Sequence, residues 1–471
     1  MRLSRREFLR RSSCSALGAA ALASGIDRFG LVQAFAQGTS YKALVCVFLG
    51  GGNDGNNMVV PLDTAGYNAY FSVRSAAGLA IPEGSLLPVT PKSLGMPFGL
   101  HPSLAAVHPL FADGKLAILS NVGPLIQPTS KQDYQSSAPR PYQLFSHSDQ
   151  IAQWQTSVST GVSATGWGGR VADTFDPNPS GFPLITALAG GVFTRGLKTS
   201  PLTVATAPTR LDQLLVLNGF GTANDEQARL NAMTYLRNID RESPLVNASS
   251  AIIQQALDLG KAFNVDPVLN TVFPNPPNAP NGTTLGNQLK QVAKLIKFNL
   301  GNGVPALSRQ IFFCSLGGFD THQGQVATQS NLLTQVGEAL KAFYDATVEL
   351  QVESQVTTFT LSDFGRTFQP AGSGANIVGS DHAWGNHHLI IGGSVLGGDF
   401  YGVPGVNDTV FPTLRLGGPD DTDTRGRWIP TTSVDQYGAT LARWFGVDEA
   451  KIDTVFPELR NFSIRDLRFM L

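Results

Sequence analysis

The chain has 471 residues, 42% of them apolar and only 15% charged, with a formal net charge of −1. That balance provides ample material for a large core and argues against the basic footprint of a nucleic-acid binder or a polybasic membrane patch. The three cysteines do not fall into haem-attachment or iron–sulfur spacings, which sets aside an electron carrier of those kinds.

The first residues read as a targeting segment. Arg5 and Arg6, followed by Arg10 and Arg11, form a basic region ahead of an apolar stretch over residues 16–26, too short to cross a ~30 Å hydrocarbon layer as a stable helix. Ala34-Phe35-Ala36 then offers the alternate small residues that a signal peptidase accepts. Cleavage there makes Gln37 the new first residue and leaves about 435 residues, expected to form one domain over 37–471. The layout resembles the signal peptides of twin-arginine substrates. That resemblance implies that residues 1–36 engage the twin-arginine export machinery, which carries the folded protein to the periplasm or beyond, with no transmembrane span in the mature chain.

Next comes a β-branched and aromatic run, Lys42 to Leu49, ending in Gly50-Gly51-Gly52, which predicts a buried strand and a tight loop carrying Asp54. Pro102 to Phe111 reads as a helix and Lys115 to Ser120 as a second strand. Gly/Pro/Thr-rich sequence with two polar helices, near Asn224 to Arg241 and Asn247 to Phe263, marks 161–284 as an insertion or cap. Helical spacing of Leu289, Val292, Leu295, Ile296 and Leu300 precedes a strand at Gln310 to Leu316. A helix with Leu333, Val336, Leu340 and Phe343 on one stripe leads to a further strand at Val356 to Leu361, and a short strand follows at His388 to Ile391. A last helix starts at the Ser433 cap and stops at Gly446. Strand, helix and strand in alternation imply parallel neighbours. Cys46 and Cys314 lie in two of these strands, and a disulfide between them is left open.

The chemistry-bearing residues gather just after strands. Asp320-Thr321-His322 follows Gly317-Gly318, Asp363 follows the Val356 strand, Asp381-His382 lies in a Gly-rich loop, and Asp54 follows the first strand. Loops at the carboxyl edge of a parallel sheet converge without being close in sequence. Carboxylate and imidazole together suit one or two divalent metal ions: zinc, manganese, magnesium or calcium. Each feature also has a plainer account: Asp54 as a turn acid, Asp363 as a cap, Ser146 as an N-cap serine, the histidines as hydrogen-bonded structural pairs, and Arg366 as a bridge to a carboxylate.

The order GGNDG (Gly51 to Gly55), FSHSD (Phe145 to Asp149), FDTH (Phe319 to His322), SDFGRT (Ser362 to Thr367) and GSDHAWG (Gly379 to Gly385) resembles the domain-of-unknown-function family 1501. It is similar, more distantly, to the alkaline-phosphatase and sulfatase superfamily. The resemblance implies a three-layer, doubly wound α/β fold with a mostly parallel sheet, and a metal-dependent hydrolase of phosphate or sulfate esters. It further implies metal ligands at Asp54, Asp320, His322, Asp363, Asp381 and His382, a nucleophile at Ser146, and Arg366 on the substrate's anionic oxygens. His147 would be a ligand or a general base oriented by Asp149. Phe364 stands where a histidine ligand is expected after Asp363, and Ser137-Ala138-Pro139-Arg140 departs from the sulfatase maturation signature, which disfavours a sulfatase proper. The alternative is a non-catalytic, exported metal-binding protein of the same fold that binds a surface glycan or another exported protein.

Overall fold

The computed structural model describes residues 41–175, 183–214, 219–220, 222–239, 242–276, 279–301, 307–374 and 377–471. The targeting segment expected over 1–36 lies outside the described residues. The strands in chain order are β1 (Lys42–Leu49), β2 (Val59–Pro61), β3 (Leu87–Val89), β4 (Phe98–Leu100), β5 (Leu116–Gly123), β6 (Ile185–Ala187), β7 (Leu202–Thr203), β8 (Arg309–Leu316), β9 (Val356–Ser362), β10 (Asn386–Gly392), β11 (Phe400–Tyr401) and β12 (Thr432–Ser433). The helices that matter for the site and core are α1 (Gly55–Met58), α2 (Thr64–Arg74), α3 (His147–Thr156), α4 (Trp167–Asp173), α5 (Asn224–Asn238), α6 (Pro244–Ala262), α7 (Thr284–Gly301), α8 (Gln325–Glu349) and α9 (Val434–Phe445).

A nine-stranded sheet runs in the order β11-β5-β10-β9-β1-β8-β6-β7, with β12 also paired to β5. β1 pairs in parallel with both β8 and β9, whereas β10 is antiparallel to β9 and β5. The small sheet β2-β4-β3 stands apart. Alternate residues of β1 face opposite helix layers. Ala43, Val45, Val47 and Leu49 join a core with α7 and α8 through residues such as Leu289, Ile296, Val336 and Phe343. Leu44, Cys46 and Phe48 join the other core with Trp154, Trp167 and Leu441 from α3, α4 and α9. Both faces are therefore covered, which explains why β1 is a nearly continuous apolar run. Each Val or Leu buried there contributes roughly 1.5–3 kcal/mol of transfer free energy. The fold is thus α/β in three layers with a mostly parallel sheet, as the motif order implied.

The same alternation disposes of the disulfide. Cys46 packs in one core and Cys314 in the other, so their side chains leave the sheet on opposite faces, and both are free thiols.

Two stretches differ from the sequence-based expectation. Pro102 to Phe111 is a 3-10 turn, Pro102–Leu104, and a separate short helix, His108–Ala112, because Pro109 fits only the first turn of a new helix. The 161–284 segment supplies α4 to one helix layer and β6 and β7 to the sheet edge. Strands of three and two residues carry no periodic signal by which a sequence reading finds them.

Candidate metal centre

The carboxyl ends of β1, β8 and β9, the loop entering β10 and the start of α3 meet at one edge of the sheet. Their loops cross at close range. Gly51 adopts φ +112°, and a Cβ there would lie 2.3 Å from the Asp320 backbone nitrogen; one on Gly379 would lie 2.2 Å from the His322 carbonyl carbon. Glycine is what lets the β1 and β10 loops press against the β8 loop.

Three imidazoles close on one carboxylate oxygen. Asp320 Oδ1 is 3.1 Å from His322 Nε2, 3.4 Å from His147 Nε2 and 3.4 Å from His382 Nε2. Ligand atoms of His147, Asp320 and His382 lie within 4.8 Å of one another, and His322 Nε2 is 2.9 Å from His382 Nε2. Each ring is held from behind through its other nitrogen. His147 Nδ1 meets Asp363 Oδ2 at 2.7 Å, His322 Nδ1 meets Asp381 Oδ1 at 3.2 Å, and His382 Nδ1 meets the Phe145 carbonyl at 2.8 Å. A carbonyl only accepts, so His382 Nδ1 carries the proton and its Nε2 presents a lone pair; the carboxylates favour the same tautomer in the other two rings.

This donor set fits a cation. Lone pairs at these separations repel unless a proton or positive ion lies among them, and buried His147 Nε2 has no hydrogen-bond partner. Ligands bound tetrahedrally at ~2.0–2.1 Å from zinc stand about 3.3 Å apart, close to the spacings observed. Histidines whose second nitrogen bonds a carboxylate or carbonyl are the usual ligand arrangement. The Phe364 ring packs 4.7 Å from His147 and 4.5 Å from His382, so it steadies two of the imidazoles instead of adding a ligand.

The electrostatics follow from the partners. Burial opposes ionisation of Asp320, but Arg366, donating to its Oδ1 at 2.5 Å, outweighs it and holds the carboxyl below the usual range. Asp381 is likewise held low: burial works against the Arg425 contact at 2.6 Å, and Arg425 wins. Asp363 is raised by burial, only partly relieved by His147. His382 is lowered, first by burial and further by the Arg366 charge.

Several expected ligands have other partners. Asp54 is 1% exposed; its oxygens accept from Arg74 at 2.6 Å, Gln325 at 2.5 Å and Asn56 at 3.1 Å, and it is absent from the group of mutually close ligand atoms. Asp363 accepts from the Gly51 amide as well as meeting His147, and Asp381 bridges His322 and Arg425; each holds one imidazole of the group in place. Arg366 bonds the carbonyls of Gly51, Gly52, Phe319 and Ser380 and the Asp320 carboxylate, and its side chain is 0% exposed, which keeps it out of a substrate's reach. Ser146 does stand at the N-cap of α3 but caps no backbone amide; its Oγ donates to Asp149 Oδ2 at 2.5 Å. Asp363, not Asp149, orients His147. His387 and His388, both buried, are pushed down to about 3 by burial, and they accept from the Asn121 amide and contact Thr360 away from the cluster.

Sequence reading missed Arg425 and Arg427. Asp421 accepts amides from Gly417, Asp423, Gly426 and Arg427, a knot that sets Arg425 on Asp381 and Arg427 Nε on the His382 carbonyl. The Asp421-Thr422-Asp423-Thr424-Arg425-Gly426-Arg427 run of alternating charges and turn residues was the available signal.

The protein is therefore of the three-layer α/β class with a His/Asp group suited to a metal at the carboxyl edge of its sheet. Residues 306–406 match the sequence model of the family described as "Protein of unknown function (DUF1501)", a stretch that holds Asp320, His322, Asp363, Asp381 and His382. No curated protein matches the chain. Among solved structures it is similar to BT1596, a 2-O GAG sulfatase, at 12% identity over 88% of this chain and 74% of that one, with a TM-score of 0.30. The C-terminal periplasmic domain of EcEptC from Escherichia coli, in complex with Zn, matches at 12% identity over 76% of this chain and 74% of its own, with a TM-score of 0.28. Alkaline phosphatase from the Antarctic bacterium TAB5 matches at 9% over 75% of this chain and 91% of its own, with a TM-score of 0.24. Among the described residues no helix is long and apolar enough to cross a membrane.

Proposed function

We propose that this protein is an exported, metal-dependent hydrolase of phosphate or sulfate esters that works with one divalent ion held by His147, Asp320, His322 and His382. The observation that carries this reading is the convergence of three imidazole Nε2 atoms on Asp320 Oδ1, with every Nδ1 already engaged. A set this rich in imidazole favours zinc over magnesium or calcium. When bound, such an ion polarises an ester oxygen and lowers the pKa of a hydroxyl or water beside it.

The chain's own residues do the rest. Asp363, Asp381 and the Phe145 carbonyl fix the imidazoles, and Asp320, 47% exposed, leaves the centre open to solvent. Charge selects the substrate. Arg366 neutralises Asp320 and Arg425 neutralises Asp381, so of the three acids only Asp363 lacks a guanidinium, and a divalent ion leaves the centre positive toward an anionic ester. Ser146 Oγ, already donating to Asp149, can pass its proton to Asp149 Oδ2 as it attacks the phosphorus or sulfur and the bond to the ester's alcohol oxygen breaks, the departing alkoxide taking a proton from solvent. The twin-arginine leader fits a protein that folds and takes its metal before export.

A second reading, a non-catalytic metal-binding protein that recognises a glycan or an exported partner, is favoured by Asp54 and Arg366 being sealed into structural contacts. Metal analysis and turnover of aryl phosphates and sulfates, with and without chelator, separate the two. The enzyme is expected to carry one equivalent of zinc and lose turnover with chelator. Ser146→Ala should keep the metal and lose turnover by at least about 10³-fold, and Asp320→Ala should lose both. Metal without turnover on any ester supports the second reading; protein that takes up no metal defeats both.

A further inference from the structure

We infer that Gln150 is a positioning residue of the centre, one that sets the tautomer and aim of His382 by fixing the backbone of Phe145. The inference rests on the metal-binding reading above. Carboxylates hold His147 and His322 through Nδ1, but His382 Nδ1 donates to the Phe145 carbonyl at 2.8 Å. A carbonyl points only where its own backbone points. With it in place, the proton of a neutral His382 stays on Nδ1 and Nε2 keeps its lone pair for an ion. With it turned away, the proton can sit on Nε2 and close that position.

Phe145 does not keep this direction unaided. Its φ of +72° is a left-handed conformation that a bulky residue rarely adopts, and it persists only where the surroundings over-determine it. Two contacts do so. The Phe145 amide donates to Gln150 Oε1 at 2.7 Å, and the Phe145 ring centroid lies 4.8 Å from the Arg427 guanidinium, whose Nε donates to the His382 carbonyl. Gln150 is 0% exposed, and its own amide donates to the Ser146 carbonyl at the start of α3, so its side chain reaches back over the first turn of the helix. Its Nε2 is buried without a hydrogen-bond partner, so the carbonyl end of the side chain is the end this position uses. Removing that acceptor leaves the Phe145 amide unbonded and takes away a contact that offsets the left-handed backbone. Helix α3 thus carries one ligand, His147, and the residue that aims another.

Gln150→Met keeps the length of the side chain and removes the acceptor. Long-range proton–nitrogen NMR of the metal-free protein, with labelled histidine and at a pH where the imidazoles are neutral, reads the tautomer of each ring. Wild type is expected to carry the His382 proton on Nδ1. In Gln150→Met, His382 should become a mixture of tautomers while His147 and His322 stay as they were, and zinc affinity, measured by competition with a chromophoric chelator, should fall by about 10–100-fold. Gln150→Glu, which keeps an acceptor oxygen at the same reach, should restore both. If far-UV circular dichroism shows that Gln150→Met does not fold, Gln150→Asn, one methylene too short to meet the amide, makes the same comparison. A wild-type tautomer or wild-type zinc affinity in the variant overturns the inference. So does a change shared equally by all three imidazoles, which is general loosening and not the aiming of one ring. Wild-type protein that takes up no zinc sinks the metal-binding reading instead, and the metal-free tautomers then decide the role of Gln150 by themselves.

Discussion

Asp54 and Asp320 follow the aligned ends of two neighbouring parallel strands, β1 and β8, where Leu49 sits opposite Leu316. They have opposite fates. Asp54 is shut away with Arg74, both side chains at 0% exposure, while Asp320 is 47% exposed and ringed by histidines. Both touch a guanidinium, so charge alone does not distinguish them. What does is the remaining company. Gln325 and Asn56 complete the shell of Asp54 with neutral donors and leave no open lone pair. Around Asp320 the other neighbours are imidazole nitrogens that are themselves lone-pair donors. An acid after a strand becomes a lock or a ligand according to whether its neighbours give protons or need a cation.

The largest expected effect tests the lock. Asp54→Ala strands a buried Arg74 charge and should cost roughly 3–5 kcal/mol of unfolding free energy, measured by urea denaturation. Refolded protein should still bind one equivalent of zinc. Loss of zinc at full folding would place Asp54 in the centre after all.

This division was only half legible in the sequence. β1, β8 and β9 announce themselves as apolar runs closed by turn residues, and the Ser433 cap with Gly446 at φ +109° bounds α9 as expected. The histidines and strand-end acids of the centre were visible as well, because their spacing after strands is local information. Their roles were not, since a role depends on partners set by tertiary contacts. Arg74 lies on α2 and Gln325 at the start of α8, and nothing near Asp54 points to either. The Phe145 carbonyl that holds His382 is a backbone atom, brought there by a residue at φ +72°, for which no side-chain pattern exists.

An intermediate effect tests the outer ring. Asp363→Asn and Asp381→Asn leave the shape of the site but weaken the hold on His147 and His322. Each should lower zinc affinity by about 10–100-fold, measured by competition with a chromophoric chelator, with thermal unfolding of the metal-free protein little changed. If either variant loses metal stoichiometry altogether at saturating zinc, that carboxylate binds the ion directly and the contrast between lock, ligand and orienting acid must be redrawn.

The smallest effect concerns another buried acid, one that neither a buried guanidinium contact nor a ring of imidazoles holds. Asp435, in the first turn of α9, is 0% exposed, and neither of its oxygens has a hydrogen bond of good geometry. Burial, then the nearby Glu458 charge, pushes its pKa well above the ordinary carboxylate range; the Ser157 hydroxyl, the Glu458 amide and the Arg170 charge only partly offset them. Arg170 is committed to the carbonyls of Val455, Thr156 and Thr165, and Glu458, also raised by burial, accepts the amides of Ser159 and Thr160. A carboxyl whose folded pKa exceeds its unfolded one binds more protons in the native state, so its contribution is full below the unfolded pKa and is lost as pH rises through the folded one. Stability should therefore fall with rising pH in this window. Asp435→Asn keeps the shape, removes the repulsion with Glu458, and should gain ~1 kcal/mol at about pH 8 while gaining little at about pH 4. The difference between the two proteins' denaturation midpoints across that range measures it. A wild-type excess at pH 8 would mean that Asp435 is ionised and held by a cation, which would make it a second ligand-type acid and not a merely buried one.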